Sequence, residues 1–125
     1  MKCRVVHLAS SVKHRVLHLA SSVRSRFVSA LVKGPSMAPT LRDGDAILAV
    51  RGGRAPRAGD VVLARFRSRP DLLVVKRLVR ADGTGWWLQG DNDLVTDDSR
   101  AYGAADVVAR VVLRWWPRLT RLSRR

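Results

Sequence analysis

Ser36 and Lys76 of this 125-residue chain are candidates for nucleophilic catalysis. Ser36 lies in the segment GPSMAPT, between a Gly-Pro and a Met-Ala-Pro. Lys76 lies in LLVVKRLV and is the only lysine of residues 34–125, where the other basic residues are arginines. A desolvated lysine can release its proton near neutral pH, whereas an arginine cannot. The pair can therefore supply a hydroxyl nucleophile and a general base.

The neighbours of Lys76 favour such a role. On a β-strand, Leu72, Val74 and Leu78 share its face. Burial among these apolar side chains would lower the pKa of the amine below its ordinary value of about 10.4. The competing interpretation is an ordinary edge lysine whose ammonium reaches water.

Other kinds of site are excluded by residue type. All three histidines and the one cysteine, Cys3, precede residue 34. Residues 34–125 therefore cannot form a Ser-His-Asp triad, a Cys-His pair or a zinc site made of His or Cys. They also lack a glycine-rich phosphate loop, and the acidic segment 91–98 lacks the glycine and glutamate of an EF-hand. The sequence predicts neither a metal nor a cofactor.

Short apolar segments that alternate with Gly, Pro and Asp turns must position these residues. The candidate strands are 46–50, 61–66, 71–80, 86–90 and 107–116, with a polar loop at 91–106. This pattern predicts a mainly β, barrel-like domain. We place that domain at residues 34–117, followed by a basic tail at 118–125.

Residues 1–33 differ in composition, since they contain seven Lys or Arg and no acid. An eleven-residue repeat, 4–14 and 15–25, returns its apolar residues to one helical face. The segment therefore predicts a basic amphipathic helix that would lie on an anionic membrane surface or a partner. A disordered arm, or a start codon set upstream of the true domain, are the alternatives.

The hydropathy and the charge of the chain limit its possible location and partners. No run of about 18 uncharged apolar residues is present, so we expect no transmembrane span. The expected location is the cytoplasm, with peripheral contact to the inner membrane face through residues 1–33. The formal net charge of +14 implies an anionic neighbour. The basic residues are spread along the whole chain, so a non-enzymatic nucleic-acid-binding module is a weaker alternative and no specific nucleic acid is expected.

Three ordered segments resemble the motif boxes of type I signal peptidases. SMAPTLRDGD resembles the nucleophile box SMxPTLxxGD, and GDVVLARF with VVKRLV resembles the next box. GDNDLVTDDSRAYG resembles GDNxxxSxDSRxxG at matching length. Within this group the chain is most similar to the maturation proteases of nickel-type superoxide dismutase, through GDVVLARFRSRPDLLVVKRLVR, GWWLQGDN, DDSRAYG and VVLRWWPR. The resemblance implies a small barrel-like catalytic domain of the signal-peptidase and LexA type.

The resemblance also implies residue roles. Ser36 would attack the scissile carbonyl, its backbone N–H would donate to the oxyanion, and Lys76 would be the general base. Thr96 falls where the family often has a serine that orients the lysine. Gly34 is a departure, because some members have there a serine whose hydroxyl is a second oxyanion donor.

Further positions are expected to support the site. Met37 and Pro39 would shape the substrate cleft and the turn, and Asp98 and Arg100 would form an ion pair beneath the site. Four other residues of the motif boxes are expected to be scaffold: Asp45, Gly90, Asp91 and Asn92.

The implied activity is a serine endopeptidase that removes an extended N-terminal leader from a protein substrate. In the maturation subgroup, cleavage exposes an N-terminus that becomes a nickel ligand, so nickel would belong to the substrate. A general membrane-bound signal peptidase is one alternative, weakened by the missing span. A LexA-type self-cleaving regulator is another, but it would need a scissile pair in its own linker.

Overall fold

The computed structural model describes residues 4–7 and 26–122. Within these ranges the chain forms one sheet of eight strands and a four-residue helix, α1 (Ser99–Tyr102). The strands are β1 (Arg4–His7), β2 (Phe27–Lys33), β3 (Ala46–Val50), β4 (Val61–Phe66), β5 (Arg69–Asp82), β6 (Gly85–Gln89), β7 (Ala105–Trp116) and β8 (Thr120–Arg121).

The strands pair in the order β1-β2-β3-β7-β4-β5-β6, and β8 pairs with β7. Each described pair is antiparallel. Two further pairings, Arg4 with Val74 and Trp86 with Ala105, close the sheet on itself. The structure therefore confirms the prediction of a mainly β, barrel-like domain.

Strands β4 and β5 have apolar side chains on both faces, which explains why they appear as nearly continuous Val and Leu runs. Alternate residues of each strand pack into two different clusters. The larger cluster joins β2, β3, β4, β5 and β7 with Met37 and Leu41. The smaller cluster comprises Val62, Ala64, Phe66, Leu72, Val74, Leu78, Leu88 and Ala105. Because β5 contributes to both clusters, its backbone is held rigidly where it carries Lys76.

The predicted helix of the N-terminal arm is wrong where the structure describes the chain. Residues 4–7 and 27–33 are strands. In β2, Val28, Ala30 and Val32 are buried at a period of two, while Phe27 is exposed. Pairing with β3 buries one face of β2, and this burial overrides the helical spacing, of which Phe27 and Ala30 were members. The rest of the predicted helix lies outside the described residues.

Two other segments contain elements that the sequence did not predict. Part of the basic tail is ordered, because β8 pairs with β7 through Leu113 and Arg114. The polar loop 91–106 contains α1, whose first turn is capped by the carboxylate of Asp98. Among the described residues, no helix has both the length and the apolar character needed to cross a bilayer.

Candidate active site

Ser36 lies in the turn that follows β2. Gly34, two residues earlier, has a φ of +90°, which side chains with a Cβ rarely allow. The N–H of Gly34 donates to Oδ1 of Asp43 over 2.8 Å. The N–H of Ala38 donates to the carbonyl of Pro35 over 3.1 Å. The local sequence thus folds tightly around Ser36 and fixes its position.

Lys76 lies on β5, opposite Val62 of β4. It is fully buried, at 0% exposure. Val74 and Leu78, two positions away on either side, belong to the smaller apolar cluster. The alternation of strand side chains therefore places Lys76 on the predicted apolar face, and the edge-lysine interpretation is wrong.

The fold brings these two residues together across 40 positions of sequence. Lys76 Nζ lies 2.8 Å from Ser36 Oγ, and Ser36 is also at 0% exposure. As an ammonium, Nζ donates a hydrogen bond to the hydroxyl oxygen; as a neutral amine, it can accept the hydroxyl proton. Burial favours the neutral amine because it penalises the charged form. The geometry is that of a nucleophile with an adjacent base.

Residues 90–92 hold the Ser36 turn. The backbone N–H of Asn92 donates to the carbonyl of Ser36 over 2.9 Å, and its side-chain amide donates to the carbonyl of Pro35 over 3.1 Å. Gly90 packs directly on Ser36, since a Cβ at Gly90 would lie 2.5 Å from the Ser36 carbonyl oxygen. A side chain at position 90 would therefore displace the hydroxyl from Lys76.

Asp91 ties two loops to β5. Its carboxylate accepts hydrogen bonds from Thr40 Oγ1 at 2.6 Å, and from Nε and Nη2 of Arg77 at 3.1 and 2.6 Å. Arg77 Nη1 also donates to the carbonyl of Gly59 over 2.9 Å. The ion pair is nearly buried, with side-chain exposures of 10% for Arg77 and 5% for Asp91. This two-point contact fixes the strand segment that carries Lys76.

Asp98 supports the site from a fully buried position. It accepts hydrogen bonds from the Gly90 N–H at 3.0 Å, and from Nε and Nη2 of Arg100 at 2.9 and 2.6 Å. Burial alone would raise the pKa of the Asp98 carboxyl, but the Arg100 side chain and the backbone N–H groups of Gly90 and Arg100 outweigh it and lower that pKa. The expected ion pair of Asp98 and Arg100 thus also holds Gly90 against Ser36.

Three other residues expected from the resemblance lie around this centre. Met37 is fully buried in the larger cluster, so it supports the turn from the core. Pro39 is exposed and follows a cis peptide bond. Thr96 is exposed, and its carbonyl accepts a hydrogen bond from the Asp98 N–H. Thr96 was expected to orient Lys76, and the hydrogen bond that the structure shows for Lys76 is the one to Ser36.

The sequence analysis assigned no role to Thr40 or Arg77, although both lie within the quoted motif segments. The signal was their place beside residues that were assigned, since Arg77 directly follows Lys76. In the described part of the chain, no group of three His, Cys, Asp or Glu side chains is arranged to hold a metal ion.

Comparison with known proteins identifies the family of the chain. The Peptidase S24-like family matches residues 8–112, which contain both Ser36 and Lys76. The chain belongs to the Peptidase S24-like family. As a Peptidase S24-like chain, it has the mainly β fold that its sequence predicted.

The Peptidase S24-like chain is similar to curated protease subunits. The mitochondrial ATP-independent inner membrane protease subunit 1a of Arabidopsis thaliana is 34% identical over 116 residues, covering 69% of this chain and 68% of the relative. Mitochondrial inner membrane protease subunit 1 of Xenopus tropicalis is 29% identical over 113 residues, covering 70% and 68%. The Homo sapiens subunit 1 is 27% identical with the same coverage. These likenesses support a protease.

Proposed function

We propose that this chain is a serine endopeptidase in which Ser36 is the nucleophile and Lys76 is the general base. The observation that carries the proposal is the 2.8 Å contact between Ser36 Oγ and Lys76 Nζ, both withdrawn from solvent. Membership of the Peptidase S24-like family supports it, as do the three motif segments.

The neutral amine of Lys76 takes the proton of the Ser36 hydroxyl while Oγ attacks the carbonyl carbon of the scissile peptide bond. The tetrahedral oxyanion collapses, the C–N bond breaks, and the Lys76 ammonium returns the proton to the leaving amine. Water then attacks the acyl ester on Ser36 and gives its proton to Lys76. The second tetrahedral oxyanion collapses, Lys76 returns the proton to Ser36 Oγ, and the leader leaves with a new terminal carboxyl group, which restores the hydroxyl and the amine.

The backbone N–H of Ser36 would donate to the oxyanion, as the resemblance implies. Gly34 offers no side-chain hydroxyl for a second hydrogen bond, and losing one such donor typically slows acyl transfer by about 10²–10³-fold. We therefore expect slow turnover, which suits maturation of a dedicated substrate. The orienting role of Thr96 stays a prediction.

The proposed substrate is a protein with an extended N-terminal leader, and the specific candidate is the precursor of nickel-type superoxide dismutase. The support for that candidate is the similarity of the quoted segments to its maturation proteases. A second candidate, cleavage of leaders at a membrane surface, is favoured by the relatives named as inner membrane protease subunits. The contact of residues 1–33 with an anionic membrane also stays a prediction.

The test is cleavage of two peptides by the purified chain, followed by mass spectrometry. One peptide spans the leader junction of a nickel superoxide dismutase precursor, and the other is a secretory signal peptide. We expect cleavage of the first, abolished by Ser36→Ala and by Lys76→Ala. Ser68→Ala, which removes an exposed hydroxyl that donates to the Tyr102 carbonyl, should remain active.

Each outcome of this assay has a consequence. Preference for the signal peptide would favour the second candidate. More than a few per cent of the wild-type rate in Lys76→Ala would contradict the mechanism. If neither peptide is cleaved, the proposed activity toward leaders is wrong.

The pH dependence provides a second test of Lys76. Because burial lowers the pKa of an amine, kcat/KM should rise with pH through a value below about 10.4 and then level off. Between the folded and the unfolded pKa, the unfolded chain binds more protons, so stability should also rise with pH there. A pH–rate profile that is flat from about pH 6 to 10 would contradict a titrating lysine base.

A further inference from the structure

A cluster of arginines surrounds two cavities where the loop 51–60 meets β7 and β8. Arg54, Arg110 and Arg121 line the first cavity, of about 240 Å³. Arg54 and Arg110 also line the second, of about 200 Å³, together with Gly52 and Gly53. Arg110 therefore lies between the two spaces.

Arg110 carries an unsatisfied polar atom. Its Nε is buried and has no hydrogen-bond partner among the described residues. The acid nearby, Asp60, is already occupied: Nη1 and Nη2 of Arg54 each donate to it over 2.9 Å, and the N–H of Arg57 donates over 2.8 Å. A buried donor without a partner in the described part of the chain costs free energy, and an anionic acceptor that enters the cavities would satisfy it.

The surroundings specify the charge of that acceptor. Three arginines line the first cavity against the single acid Asp60. Arg26 and Arg110 also converge, because a Cβ built at Gly53 would lie 3.0 Å from Nη2 of Arg26 and 3.5 Å from Nη2 of Arg110. The absence of a side chain at Gly53 leaves this approach open. Planar guanidinium groups recognise phosphate oxygens in pairs.

We infer that the Arg110 cluster, comprising Arg26, Arg54, Arg110 and Arg121, binds a phosphoryl group. The group would be either inorganic phosphate or the phosphodiester of an anionic lipid headgroup. The site is joined to β5, because the Leu78 N–H donates to the Asp60 carbonyl over 2.8 Å. A headgroup held there would seat the catalytic body on a membrane surface without requiring the predicted N-terminal helix.

The test compares wild type with Arg110→Met and with Arg69→Met, which removes the same charge from an exposed arginine outside both cavities. Millimolar inorganic phosphate should raise the melting temperature of wild type and Arg69→Met by a few degrees above chloride at equal ionic strength. Arg110→Met should lose this rise. No rise in wild type, or equal loss in both variants, would overturn the site.

Vesicles distinguish the two sources. If phosphatidylglycerol vesicles bind wild type more tightly than Arg110→Met, and added phosphate displaces the protein from the vesicles, the ligand is the lipid headgroup. If phosphate raises the melting temperature of wild type but wild type and Arg110→Met bind vesicles equally, the ligand is free inorganic phosphate. Neither readout requires peptidase activity, so this inference can fail or hold independently of the proposed function.

A second observation concerns β1, which lies between the two strands that deliver the catalytic pair. Arg4 pairs with Lys33, three residues before Ser36, and also with Val74, two residues before Lys76. β1 thus occupies edges of β2 and β5 beside the pair. An extended substrate that adds as a strand needs such unpaired edges.

The geometry points to β1 as an internal competitor of the substrate strand, an inference that rests on the proposed function. Ser36 and Lys76 both have 0% exposure in this closed arrangement, so a scissile carbonyl cannot reach Oγ until a segment moves. Release of β1 from β2 and β5 would open both edges at once. The competing segment belongs to the same chain, so its effect is independent of protein concentration.

The test is the double substitution Val5→Pro with Val6→Pro. Successive backbone N–H groups point to opposite strand edges, so the two prolines remove one donor toward each neighbour. Val5→Thr with Val6→Thr keeps both donors and is the matched control. A fluorescent peptide of residues 1–9 should bind the proline variant at least several-fold more tightly than wild type or the control. In the leader assay, kcat/KM of the proline variant should rise several-fold.

Equal peptide binding by all three proteins, or binding by none, would overturn the role of β1 whether or not the chain cleaves leaders. Binding without any cleavage would retain the strand exchange and reject the peptidase assignment. Circular dichroism checks that the proline variant keeps its β structure.

Discussion

Lys76 and Arg77 are neighbours in β5, both are buried, and they have opposite surroundings. Lys76 meets the hydroxyl of Ser36, a neutral oxygen that can lose a proton. Arg77 meets the carboxylate of Asp91 through two donors and a carbonyl through a third. Strand alternation turns the two cations to opposite faces.

The difference separates Lys76, the residue proposed as the base, from Arg77, which stabilises the strand through an ion pair. A carboxylate partner keeps a buried cation charged, which is what a structural ion pair requires. A hydroxyl partner in an apolar setting favours the neutral amine, which suits a base. Adjacent residues on one strand can therefore serve different purposes, and the Arg77–Asp91 ion pair holds the strand that carries the proposed base.

The largest effect is expected when the residue types of Lys76 and Arg77 are exchanged. Lys76→Arg keeps a positive charge but cannot deprotonate, so leader cleavage should fall by about 10²–10⁴-fold. Arg77→Lys should keep cleavage and lose stability, because one ammonium replaces a two-point contact. Rates on the leader peptide and urea denaturation of both variants check this. Substantial activity in a folded Lys76→Arg would contradict the role of Lys76.

Removing the charge of Asp91, the partner of Arg77, should lower the free energy of unfolding. Asp91→Asn leaves the Arg77 charge buried without its counter-charge, which typically costs about 3–5 kcal/mol. Chemical denaturation measures the loss. Arg77→Met combined with Asp91→Leu should recover part of it, since neither charge then remains. A double variant less stable than Asp91→Asn would mean that the pair contributes more than neutralisation.

Asp98 extends the comparison to an acid. Its folded pKa is lowered, so its contribution to stability is present above the unfolded value of about 3.9 and is lost as pH falls through the folded pKa. Asp98→Asn should be less stable than wild type at neutral pH. The difference between the two should shrink below about pH 4. Denaturation at several pH values checks this, and a constant difference down to pH 2 would contradict it.

The smallest effect is expected at the exposed pair of Arg67 and Asp106, with side-chain exposures of 43% and 62%. Water and salt screen such pairs. Asp106→Asn should therefore shift the denaturation midpoint little, and the shift should vanish at high salt. A loss as large as that of Asp91→Asn would show that burial does not explain the contrast.

The sequence predicted the strands best where both faces are apolar. The segments 46–50 and 61–66 agree with β3 and β4, because short apolar runs bounded by Gly, Pro and Asp are typical of strands. The arm was misassigned because Val28, Ala30 and Val32 satisfy a period of two as part of β2, while Phe27 and Ala30 also fit a helical stripe. Only pairing with β3 decides between these periods.

From residue types alone, the sequence excluded catalysis by histidine or cysteine within residues 34–125 and left Lys76 as the one lysine there. The resemblance of the motif segments then pointed to Ser36 as its partner. The tertiary structure alone decided that Lys76 Nζ lies 2.8 Å from Ser36 Oγ. It also decided that Gly90 must lack a side chain and that Asp91 braces Arg77. The physical reason is distance along the chain: these contacts join residues 14 to 54 positions apart, and only closure of the sheet makes them neighbours.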